Sequence, residues 1–168
     1  MASRSMMLQT ERASGLPMIW KAGLIAGALD GFDAAIFIGI VGGKGVLRVF
    51  QFIASGLLGT RSFQEGWRSG ALGVLLHFFI ATAAAAAYYD LSRRIPFFLK
   101  RPLLGGTVFG ITFFAFMHYV VVKLSAAPSR PFGTIDLINQ LFAHIFFVGL
   151  PIALITGRES HKQRRSGS

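Results

Sequence analysis

The sequence predicts an all-α integral membrane protein: a bundle of four transmembrane helices with one short interfacial amphipathic helix. Three observations predict it. Of 168 residues, 53% are hydrophobic and 14% charged, against about 25% charged in an ordinary soluble domain. The apolar residues fall in blocks of about 20, the length that crosses a hydrocarbon core about 30 Å thick as a helix. The 17 Lys and Arg against 7 Asp and Glu, a net charge of +10, flank those blocks. They suit a lipid bilayer with anionic headgroups as the partner, and not nucleic acid. The absence of cysteine excludes disulfides, thiol nucleophiles and thiolate-held metals or clusters.

The elements follow in order. Residues 1–18 form a polar arm with no apolar core at its start, so no removable signal peptide is expected. The first span is expected at about 20–41, although Asp30 and Asp33 lie near its middle. The others are expected at about 70–89, 103–122 and 137–156, and none of these three contains Lys, Arg, Asp or Glu. Blocks this long and apolar lack the alternation of barrel strands, and a helix satisfies its own backbone in lipid. Between the first two spans, VLRVFQFIASGLL (46–58) places Arg48, Gln51 and Ser55 at spacings of three and four. It is too short to cross. It is expected at the headgroup boundary, with the Arg48 stripe towards water and the Phe50/Ile53/Leu57 side in acyl chains or against the bundle. Pro151 is expected to kink the fourth span, and Arg130, between Pro128 and Pro131, reads as a surface turn. Residues 158–168 read as a basic, irregular tail.

The N-terminal arm, the second connection (Arg93, Arg94, Lys100, Arg101) and the tail carry more Lys and Arg than the opposite connections. The positive-inside rule therefore puts both termini in the cytoplasm. Aromatic residues near span ends, Trp20, Trp67, Tyr88, Tyr89 and Tyr119, agree with the interface preference of such rings. Close helix packing is expected at Gly23, Gly27 and Gly31, at Gly106 and Gly110, and along Ala83 to Ala87, where small residues let backbones approach. The first of these sets is also the surface on which a homo-oligomer could form.

Asp30, Asp33, His77, His118 and His144 stand out, because ionisable groups inside a bilayer are functional candidates by default. With about 1.5 Å of rise per residue, Asp33, His77 and His144 fall at one depth, roughly 20 Å from the cytoplasmic edge. His118 falls about 3 Å beyond them and Asp30 about 5 Å short. Asp30 shares a face with Gly23 and Gly27, and His77 with Gly70, Gly73, Ala81 and Ala84, so both are expected to point inward. His144 lies one turn from Gln140.

Three readings of this buried polar layer stay open. It couples a proton or small ion, since burial makes the charged form of either group costly. It only fixes helix packing, through hydrogen bonds worth about 1 kcal/mol each. Or it holds a ligand: His77, His118 and His144 with Asp33 match the donor set of a divalent metal, and haem or quinone held between histidines is a further class. No cofactor is required by any motif. Catalysis finds no support either, because Ser55 and Ser125 lack a neighbouring base and Asp90 with Arg93 or Arg94 reads as a helix-end ion pair.

The phrases FIASGLLG (52–59), LHFFIATAAAAAYY (76–89), SRRIPFFLKRP (92–102), FMHYVVVKLSA (116–126) and HIFFVGLPIAL (144–154) resemble a group of small bacterial inner-membrane proteins, the YagU-like four-span proteins. The resemblance covers roughly residues 20–157. It implies a bacterial cytoplasmic membrane and a four-helix architecture, and it implies no activity, substrate or site residue.

Overall fold

The structure, a computed structural model, describes the backbone of residues 2–128 and 133–166 and the side chains of residues 15–128 and 133–159. The expected turn at Arg130 lies outside the described residues. Among those described, every regular element is helical. Four helices are long and apolar enough to cross a membrane: Gly15–Val41, Trp67–Arg94, Pro102–Leu124 and Thr134–Glu159, here spans 1 to 4. They support a multi-pass membrane protein. Each outruns its apolar block by a few residues, because helix hydrogen bonding continues into polar flanks such as Asp90–Arg94. The arm is helical from Ala2 and enters span 1 without a break. Beyond span 4 the helix runs on to Ser166, where an irregular tail was expected; a nucleated helix extends readily into Lys, Gln and Arg.

Span 1 packs on span 2 along one side and on span 4 along the other, and span 3 packs on span 4. The spatial order is therefore 2-1-4-3. Glycine sets these contacts, as the sequence suggests. Gly23 faces Thr82, Gly27 faces Phe78 and Ala81, and Gly31 faces His77, so the glycine face of span 1 lies against span 2 of the same chain. Gly106 faces Gly149 and Ala153, and Gly110 faces the backbone of His144 and Ile145. A Cβ on Gly106 would stand 2.8 Å from the Gly149 carbonyl, so this crossing admits no side chain.

The apolar core sits towards the end that carries the termini, around Ala22, Ala26, Ala85, Tyr88, Ile152 and Ala153. Tyr88, fully buried, donates its hydroxyl to the Phe98 carbonyl at 3.0 Å and meets the Phe109 ring edge to face. That cluster ties span 2 to span 3 at this end. Lys21 and Glu159, 3.1 Å apart, join the same ends of spans 1 and 4.

At the far end, Gly43 and Gly45 adopt positive φ of 64° and 82°, which turns the chain sharply into the short helix Val46–Leu58. Its polar stripe is where the structure departs from the sequence reading. Arg48 is exposed and lies over the Phe63 ring, but Gln51 and Ser55 are buried at 3% and 0% exposure while Leu57 is exposed at 65%. Only the Arg48 end of the stripe meets water, and Gln51 points at the start of span 2. Gln51 Nε2 donates to the Gly66 carbonyl at 3.0 Å, and Ser69 Oγ lies beside it. The approach is close enough for the Phe50 carbonyl to lie against Gly73, and small polar side chains fit where a larger apolar one does not. The Ala126 amide donates to Gly56 O at 2.9 Å, which fastens the end of span 3 to this helix.

Candidate functional site

Three spans change their hydrogen-bond phase along their length. π-helical turns run over Ala34–Val41 in span 1, Met117–Val121 in span 3 and His144–Gly149 in span 4. The last has a local cause. Pro151 has no amide hydrogen and its ring crowds the carbonyl four residues back, and a π turn directly before it relieves both. Each π turn adjoins a polar residue the sequence singles out: Asp33 precedes the first, His118 lies in the second and His144 opens the third. Such turns widen a helix and recur at functional sites.

They surround a cavity of about 350 Å³ roofed by the short helix and walled by all four spans. Asp30, Asp33, His77, His118 and His144 all line it. The structure thus puts the five around one cavity, each span contributing at least one, yet it does not make the buried Asp/His layer that the sequence predicts. Only His77 is buried, at 9% exposure; the other four are half-buried. The reason is the 2-1-4-3 order, in which spans 2 and 3 touch through the Tyr88 cluster and then diverge, so the layer is not closed.

The individual contacts follow from this geometry. The His77 ring packs against Phe50 and Phe78. Its Nε2 donates to the Gly27 carbonyl at 2.8 Å and stands 4.0 Å from Asp30 Oδ2. Asp33 Oδ2 accepts from Asn139 Nδ2 at 2.9 Å, which bridges spans 1 and 4. His144 Nδ1 donates to the Gln140 carbonyl of its own helix at 2.8 Å, leaving Nε2 as the acceptor of a neutral ring. His118 stacks on Phe114 and meets Tyr119 edge to face. Among the described residues, no three His, Asp or Glu side chains come together as a metal-holding group. His77 and His144 each use one ring nitrogen on a backbone carbonyl.

Asp136, Asn139 and Lys44 also line the cavity, and the sequence reading did not single them out as site residues. Lys44 Nζ and Asp136 Oδ2 pair at 2.9 Å, joining the turn after span 1 to the start of span 4. The signal was present: Asp136, Asn139, Gln140 and His144 repeat at three and four residues, a polar strip on one face of span 4. Gln140 Nε2 is a buried donor without a hydrogen-bond partner.

No family model, no curated protein and no solved structure matches the chain. A functional reading therefore rests on the cavity.

Proposed function

We propose that this is a multi-pass protein of a bacterial cytoplasmic membrane, with both termini in the cytoplasm, that couples protons or small ions through Asp30, Asp33 and His77. The short helix then lies at the opposite headgroup boundary and covers the cavity. One observation carries the reading. Three carboxylates line a cavity that is otherwise mainly apolar, Lys44 pairs with Asp136 alone of the three, and Asp33 accepts a hydrogen bond from the neutral amide of Asn139. A carboxylate in such surroundings is stabilised by taking a proton or a cation, and exchange between the two is the elementary step of coupling.

A second reading is favoured by the His77–Gly27 bond. It locks spans 1 and 2 in register, as expected of an accessory protein whose polar groups only fix packing. Proton flux separates the two. In proteoliposomes with an entrapped pH dye and an imposed potassium diffusion potential, the coupling reading predicts dye acidification above that of empty liposomes. It predicts loss of that signal in Asp33→Asn, which keeps the Asn139 contact and the fold. Flux equal to that of empty liposomes in the wild type would remove the coupling reading.

A further inference from the structure

We infer that the cavity takes a lipophilic organic cation, an ammonium or related centre carrying an aromatic or aliphatic body, and admits it sideways from the lipid. The inference rests on the coupling reading and names what the carboxylates exchange protons against. Its first support is charge. The titratable groups on the wall are Asp30 and Asp33 of span 1, Lys44 of the turn, His77 of span 2, His118 of span 3, and Asp136 with His144 of span 4. Lys44 is paired with Asp136, so with neutral imidazoles the wall carries two carboxylates in excess, and a cation is the complementary guest.

The second support is the rest of the lining. Phe52, Phe113, Phe114 and Ile80 line the same cavity as those carboxylates, a surface that holds an apolar body and offers ring faces to a positive centre. A small hydrated ion gains nothing from it. The third support is the way in. Where spans 2 and 3 diverge, a second, almost wholly apolar groove of about 420 Å³ runs between them, lined by Phe79, Ala83, Thr112 and Phe116 on its outer part. Ile80, Phe113, Met117 and Val121 line both the groove and the cavity. The two therefore adjoin with these four side chains as the partition between them, and a guest dissolved in the bilayer that parts them reaches Asp33 without crossing the polar far end. A cation that meets a protonated carboxyl displaces its proton to water, and one that meets an ionised carboxylate neutralises it, so charge balances with no further reactant.

The test uses the full chain in lipid nanodiscs and benzyltrimethylammonium as the probe, followed by calorimetry against empty nanodiscs, in two buffers of different ionisation enthalpy. The expected result is saturable binding that weakens about tenfold in Asp33→Asn, the size of one charge-assisted contact. Tetramethylammonium, which has no apolar body, is expected to bind at least as much more weakly. Ala83→Trp, placed in the groove and away from the carboxylates, is expected to slow association without moving monodispersity on size exclusion. Equal binding in Asp33→Asn, or equal affinity for the two ammonium ions, overturns the inference; an unchanged association rate in Ala83→Trp overturns the lateral route. Saturable binding without proton release would leave the cation site standing and remove both the proton displacement and the coupling reading. Proton flux without saturable binding would do the reverse.

Discussion

His77 shows how one side chain serves both packing and the cavity. Its Nε2 donates to Gly27 O across the span 1–span 2 contact, while the residue lines the cavity with Asp30 4.0 Å away. Replacing it with alanine leaves a void beneath Phe50 and Phe78 and removes that bond. We expect His77→Ala to lower stability by about 1–3 kcal/mol, read as a drop in the denaturation midpoint in detergent. Asn139 makes a complementary prediction. Asn139→Leu removes the one amide on Asp33, so its cost should shrink when Asp33→Asn is also present. A double-mutant cycle is expected to give a coupling of about 1 kcal/mol, and a cycle that sums to zero would show that the contact carries no energy. Asp30 and His77 were legible in the sequence because Gly and Ala mark the faces they share. Asn139 and Asp136 were not read from it, because an Asn beside a span end looks like an ordinary flank until the facing Asp is located.

At the scale of elements, the four spans were legible because each block matches the bilayer in length. The short helix was legible as a helix and misread in its orientation. Amphipathic periodicity finds a polar stripe but does not say whether it meets water or protein, and here Gln51 meets the start of span 2 while Ser55, fully buried, donates to the Phe52 carbonyl of its own helix. The π turns left no trace in the pattern of apolar residues, since a change of hydrogen-bond phase needs no change of composition; only Pro151 hinted at one. The seat of the short helix gives the prediction for this scale. The Phe50 carbonyl lies against Gly73, so Gly73→Leu must push the two helices apart, at a cost of about 1–3 kcal/mol. Limited proteolysis within 42–66 should then accelerate, and an unchanged digestion rate would mean that the short helix is not held there.

For the molecule as a whole, the arrangement is a bundle tied at one end and opened at the other. The Tyr88–Phe98–Phe109 cluster and the Lys21–Glu159 pair hold the end with the termini. The far end is held by the Lys44–Asp136 pair and by the bond from Ala126 to Gly56. Lys44→Glu should loosen it and Lys44→Glu with Asp136→Lys should restore it, within the 0–1 kcal/mol of a part-exposed pair, measured as solvent exchange of amides in 42–46 and 133–139. The spatial order 2-1-4-3 could not be read from the chain, because small-residue faces show which surfaces pack without showing their partners. That order leaves spans 2 and 3 apart and so produces the cavity and its lateral groove.

The central claim is that the cavity carboxylates exchange protons with their surroundings in the folded protein. Infrared difference spectroscopy on the lipid-reconstituted chain, taken as pH is stepped downwards, tests it most directly, because a protonated carboxyl group has a C=O stretch that a carboxylate lacks. The account predicts a protonated-carboxyl band that grows as pH falls and is diminished in Asp30→Asn and in Asp33→Asn. A band unchanged by either substitution, or none at all over the range in which the protein stays folded, would contradict it.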